Sequence, residues 1–127
     1  MRYLLDTHVI IWYMEDSAEL SLEVKEIIDN PENTVCICSI SLWEIAIKMN
    51  INKLKLSINL DELLFDVKNS EFIILQIENE YLKKYFSLPL LHRDPFDRLL
   101  ISTALSEDLI IITADENIHR YDVQWMW

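Results

Sequence analysis

The sequence predicts an α/β fold, a three-layer α/β/α sandwich around a mostly parallel central sheet. Short runs of aliphatic and β-branched residues (RYLL at 2–5, TVCICSI at 34–40, FIILQI at 72–77, LIIIT at 109–113) alternate with longer amphipathic segments. These runs are apolar at almost every position rather than at every second one, as expected of strands covered on both faces. The segments between them are long enough for the crossover helices that parallel neighbours need.

The first strand, RYLL, ends at Asp6-Thr7, and VIIWYM (9–14) begins a helix. SLEVKEIIDN, from Ser21, carries Leu22, Val24, Ile27 and Ile28 at near-helical spacing and stops before Pro31. TVCICSI reads as a central strand. Its Cys36 and Cys38 are two residues apart, share a face and pack as small hydrophobes. A lone CxC makes neither a zinc site nor a disulfide framework, and free thiols fit a reducing, cytoplasmic setting.

SISLWEIAIKMNINKL then predicts a helix with Ser39 or Ser41 as N-cap and a core stripe of Leu42, Ile45, Ala46 and Met49. LDELLFDVKN (60–69) is a further amphipathic helix, FIILQI a strand, and NEYLKKYFSL (79–88) a helix that ends before Pro89. A loop leads to a helix from Pro95 to about Glu107, with Asp94 at N-cap, Pro95 at N1 and Asp97 at N3. LIIIT is the next strand, and DVQWMW is a candidate final one. With no repeat, linker or low-complexity stretch, residues 1–127 read as one domain.

No window of about 18 apolar residues is present, so no membrane span is expected. MRYLLDTHVIIW is broken by Asp6 and His8, and no small-residue cleavage site follows, so it is not read as a secretory signal. Lys plus Arg number 11 against 22 Asp plus Glu, a net charge of −11. That balance counts against a passive nucleic-acid-binding module, whose affinity comes from neutralising phosphates. It suits a protein that takes up divalent cations or meets a basic partner. The chain has no glycine, which excludes every Gly-rich phosphate loop.

Open parallel sheets place functional groups at the carboxyl ends of their strands. Asp6 ends the first strand, Asp115 stands two residues past LIIIT, and Glu44 lies early in the helix after TVCICSI. Asp94 and Asp97 open the helix before LIIIT. Gathered at one edge, these carboxylates would repel and raise a pKa unless a cation joined them. Hard oxygen ligands suit Mg²⁺ or Mn²⁺, which activate a water for phosphodiester hydrolysis. Each acid also has a plainer use. Asp94 and Asp97 suit a helix start, Glu44 can pair with Lys48 one turn on, and Asp115 can cap ENIHRY. Asp6, at a strand end, has few such uses.

The stretches LLDTHVIIW, SISLWEIAIK, LPLLHRDPFDRLLISTAL and IIITADENIHRY resemble the PIN domain, and within it the VapC-type toxin ribonucleases with an HRDPFDRLL signature. The likeness runs from residue 3 to about 121. It implies that Asp6, Glu44, Asp97 and Asp115 are catalytic and hold Mg²⁺ or Mn²⁺, with Thr7, Asp94 and Thr113 as accessory groups. It further implies an RNA substrate, a cognate antitoxin that blocks the cleft, and a homodimer formed by the apolar N-terminal helices. Relatives carry glycine in two turns that read NKL (52–54) and EDL (107–109) here; Asn and Asp tolerate positive φ best among the other residues.

Lys48, Lys53, Lys55, Arg93 and Arg98 are the only cation clusters available to grip an RNA backbone, Arg98 being expected to pair with Asp94. His92 and His119 are candidates for substrate contact, a plain surface position being the commoner use of a histidine. Trp12, Trp43, Trp125 and Trp127 are read first as core or dimer surface and second as base-stacking groups. The main reading is a metal-dependent ribonuclease. The alternative is a non-catalytic acidic module whose carboxylates receive Arg or Lys side chains of a basic partner. An aspartyl-nucleophile phosphatase at Asp6 is a weak third, because His8 stands where its second acid should be.

Overall fold

A computed structural model describes residues 1–127. The elements follow in the order β1 (Arg2–Leu5), α1 (Thr7–Met14), α2 (Leu22–Asp29), β2 (Thr34–Cys38), α3 (Ser39–Asn50), α4 (Leu60–Lys68), β3 (Ile73–Leu75), α5 (Asn79–Ser87), α6 (Pro95–Glu107), β4 (Ile110–Ile112), α7 (Glu116–His119) and β5 (Trp125–Met126). The strands form one sheet in the order β3-β2-β1-β4-β5. Every neighbouring pair is parallel, with Leu4 opposite both Cys36 and Ile111. All carboxyl ends therefore share one edge. The topological switch lies at β1, from which the chain runs outward to β2 and β3 on one side and later to β4 and β5 on the other.

Alternate strand residues feed two cores, which is why the strands read as unbroken apolar runs. Tyr3, Leu5, Val35, Ile37 and Ile112 enter one core with Val9 and Ile10 of α1, Val24 and Ile28 of α2, Ile45 of α3 and Leu63 of α4. Leu4, Cys36, Cys38 and Ile111 face the other way, onto Leu100, Ile101 and Ala104 of α6 and Ile118 of α7. A full burial is worth roughly 1.5–3 kcal/mol for each such aliphatic side chain. The two thiols share a face, are free, and Cys38 is pushed up to about 12 by burial, so it stays protonated and inert.

Three helices end on a residue in the left-handed region, and none of the three is glycine: Asp16 (φ 50°), Asn52 (φ 58°) and Asp108 (φ 55°). After α3, the Asn52 N–H reaches Met49 O and the Lys53 N–H reaches Lys48 O, the paired bonds of a Schellman ending. Asp16 and Ser17 close α1 in the same way onto Tyr13 and Trp12. The NKL and EDL turns thus take the positive φ expected of them, and Asp16 adds a third.

Several sequence expectations need correction. Ser39 is not an N-cap but the first residue of α3; Cys38 holds the cap position and makes no side-chain bond there. Ser41, the other cap candidate, instead accepts from the Thr7 hydroxyl at 2.9 Å, tying α3 to the start of α1. The strands at 34–40, 72–77 and 109–113 are shorter than read, because each gives its flanking residues to a helix or loop. Most apolar residues of α1 and α2 are consumed by the protein's own core, leaving Leu22 as the large exposed hydrophobe there. No helix is long and apolar enough to cross a membrane.

Candidate active site

The carboxyl edge of the sheet is where the acids gather. β1 hands directly to Asp6, which caps α1, and the Asp6 N–H donates to Ile112 O of β4 at 3.1 Å. Asp6 is buried. Its Oδ1 accepts from the Thr7 N–H at 2.6 Å and its Oδ2 from the Thr113 hydroxyl at 2.7 Å. The same Thr113 oxygen accepts from the Asp115 N–H at 3.0 Å. One hydroxyl therefore joins the acid after β1 to the acid after β4. Burial raises the Asp6 carboxyl, and the bonds from Thr113 and Thr7 pull it back in part.

Asp97 comes to this edge on the first turn of α6. Asp94 caps that helix, its Oδ1 accepting from the Phe96 and Asp97 N–H groups, with Pro95 at the first helical position as read from the sequence. The side chain of Asp97 points away from that capping role and is buried. Burial first, then the negative charges of Asp94, Asp6, Asp115 and Glu44, push its carboxyl up to about 8. Four other acids are thus near enough for their charge to be felt at Asp97. A buried carboxyl raised by burial and by several like charges is a functional-site candidate.

The remaining acids keep partners of their own. Glu44, buried on α3, pairs with Lys48 at 3.1 Å, the one-turn pairing that the sequence suggested. Asp115 caps α7 through the Asn117 N–H at 2.8 Å. These capping and pairing uses coexist with the gathering of the carboxylates.

A buried polar chain behind Asp97 was not visible in the sequence. His92 Nε2 lies 3.1 Å from Asp97 Oδ2, and His92 Nδ1 lies 2.8 Å from the Tyr121 hydroxyl. That hydroxyl also accepts from Arg98 Nη1 at 2.9 Å and from the His92 backbone N–H at 3.3 Å. With both lone pairs taken by N–H donors, the Tyr121 proton must go to Nδ1, which leaves Nε2–H to donate to Asp97. No spacing rule announces this, since His92, Asp97 and Tyr121 lie on a loop, a helix and a second loop.

Arg98 corrects an expectation. It makes no pair with Asp94; it is buried, donates to Pro89 O at 2.8 Å and to Tyr121, and lies over the Tyr85 ring. Its guanidinium is a structural strut and does not face solvent as a phosphate clamp would. His92 and His119 are likewise not plain surface histidines: His119 stacks on Trp125 with 3.4 Å between ring centroids and reaches Thr113 O. Of the proposed cations, Lys48 is engaged with Glu44, while Arg93, Lys53 and Lys55 are exposed.

In kind, the donors fit a hard divalent cation: they are carboxylate oxygens, and both cysteines are buried beneath α6. As they stand, no three Asp, Glu, His or Cys side chains converge closely enough to hold an ion. A cation here would draw in side chains now turned to Lys48 and His92.

The PIN domain family model matches residues 3–124. Among solved structures, the chain is similar to one in VapBC2 from Rickettsia felis bound to a DNA fragment from its promoter (TM-score 0.75, 21% identity, 99% of this chain and 98% of that one). It is also similar to chains of VapBC-1 from nontypeable Haemophilus influenzae (TM-score 0.72, 20% identity, 99% and 97%) and of FitAcB from Neisseria gonorrhoeae (TM-score 0.71, 19% identity, 100% and 97%). At such identities the likeness speaks for the fold. A search of curated proteins finds no significant match. The family match covers all but the first two and last three residues, so the chain belongs to the PIN domain family.

Proposed function

We propose that the chain is a divalent-metal-dependent ribonuclease and the toxin of a toxin–antitoxin pair. The observation that carries this is the bond from Thr113 to Asp6, which joins the acids after β1 and β4 at the switch point, while the charges of both raise Asp97. Mg²⁺ or Mn²⁺ held by Asp6, Glu44, Asp97 and Asp115 would supply a Lewis acid that activates water and offsets charge on the phosphate. The residues themselves supply orientation. Asp6 is fixed by Thr7 and Thr113, and His92 holds one oxygen of Asp97 while leaving the other free. Lys48 keeps a positive charge beside Glu44, within the rim where a phosphate would approach.

A further solved neighbour is a toxin–antitoxin complex from Klebsiella pneumoniae, and the same reading gives this chain an antitoxin partner, a cytoplasmic setting and a homodimer. The test is cleavage of RNA by the purified chain with Mn²⁺, with EDTA, and by an Asp6→Asn variant. Cleavage only in the first supports the reading; equal behaviour in all three ends it.

A second reading, an acidic module that binds a basic protein segment without cutting RNA, has one observation in its favour. Glu44 and Asp97 already accept basic side chains, Lys48 and His92. Capture of a basic partner with no metal-dependent cleavage would favour it.

A further inference from the structure

Each of two site acids is preceded by an aromatic residue, Trp43 before Glu44 and Phe96 before Asp97, and the two rings meet. Their centroids are 5.6 Å apart and their planes are tilted by 59°. α3 and α6 therefore touch through this pair where both deliver a carboxylate to the edge of the sheet. Trp43 is 61% exposed, so it is neither core nor closed over by Phe96. A large ring left in water on the lip of a charged cleft is a cost that burial elsewhere would have removed.

The charge distribution says what such a ring could hold. The chain carries −11, Lys48 is already paired with Glu44, and Arg98 is buried against Pro89 and Tyr121. Of the candidate cations only Arg93, Lys53 and Lys55 are left exposed, few for a chain that a polyanion must approach. Stacking on an indole needs no positive charge and is open to any unpaired base, because every base has a π-face.

We propose that Trp43, supported from behind by Phe96, is a stacking subsite for an unpaired base of single-stranded RNA whose phosphodiester lies at the acids. The proposal rests on the nuclease reading. It deepens that reading by naming the ring that would hold a base beside the acids; bases locked in a duplex cannot reach it, which gives the test its control.

The test uses the full-length chain with a decameric oligoadenylate, in two arms. In the first, Mn²⁺-dependent cleavage is followed for wild type, Trp43→Ala, Trp43→Phe and Phe86→Ala, the last altering a 93% exposed ring on α5 outside the site. Trp43→Ala should raise KM about tenfold with the loss falling on KM rather than kcat, Trp43→Phe should recover most of it, and Phe86→Ala should match wild type. In the second arm, binding is read without cleavage in EDTA, by quenching of tryptophan emission and by anisotropy of a labelled oligomer. Single-stranded RNA should bind wild type more tightly than Trp43→Ala, and a duplex should show no such difference.

If wild type fails to cut RNA yet the binding arm separates Trp43→Ala from wild type, the nuclease reading falls and the stacking subsite stands. Equal KM and equal binding for wild type and Trp43→Ala overturn the subsite. So does a Trp43→Ala variant that handles RNA normally while losing its homodimer or a basic protein partner, which would assign the patch to a protein interface.

Discussion

His92 presents Nε2 to Asp97 Oδ2 at 3.1 Å while its Nδ1 accepts from the Tyr121 hydroxyl, so a loop histidine fixes the carboxyl that burial and the charges of four other acids push up. The neighbours of a ligating carboxylate commonly matter nearly as much as the carboxylate. His92→Ala should weaken Mn²⁺ binding by roughly 10- to 100-fold, measured by isothermal titration calorimetry. His92→Gln, which can still donate to Asp97, should recover part of the loss. An unchanged affinity in His92→Ala would leave the histidine a packing role only.

Asp97 is raised to about 8, so the folded chain keeps a proton that the unfolded chain releases near the ordinary carboxyl value. The stabilisation from that group is fully present at low pH and is lost as pH rises through the raised value. Without metal, urea midpoints should therefore fall between about pH 4 and pH 8. Asp97→Asn should flatten that fall and raise the midpoint at pH 8. A wild-type midpoint that climbs across the same range would show that Asp97 ionises freely in the fold.

Thr113 is fully buried and serves two acids with one hydroxyl. Thr113→Val keeps the shape but strands Asp6 Oδ2 and the Asp115 N–H, at a cost of about 1–3 kcal/mol read by chemical denaturation. Thr113→Ser should restore the bonds and most of the stability. Activity on RNA should fall with Thr113→Val and return with Thr113→Ser.

Asn52 and Asp108 hold left-handed conformations that glycine adopts without a Cβ clash. Asn52→Gly and Asp108→Gly should each stabilise by at most about 1 kcal/mol, since Asn and Asp bear the left-handed cost best, seen as a higher melting temperature. A loss of stability would mean that the entropy glycine returns to the unfolded chain outweighs the relieved strain.

The sheet was legible because its strands are buried on both faces: RYLL, TVCIC and III leave no polar period to confuse the reading. Its parallel order followed from the helices between them. Asp6, Asp97 and Asp115 could be placed because each follows a strand or opens a helix whose position the pattern fixes, and Glu44 because it lies early in the helix after TVCIC; their role in catalysis is the proposal. The roles of Arg98, His92 and Tyr121 could not be read. Arg98 sits one helical turn from Asp94 and invites a surface pair, but burial of α6 turns it inward to Tyr121 and Pro89. The exposure of Trp43 was equally hidden, since an indole beside a core stripe reads as core until Phe96 is seen to cover only one side of it.

Crystals soaked in Mn²⁺ and measured at the manganese absorption edge test the central claim most directly. The expected result is an anomalous peak bounded by Asp6 and Asp97, with Glu44 or Asp115 completing the oxygen shell. Saturating Mn²⁺ with no peak among these acids, or a peak only elsewhere on the surface, would contradict it.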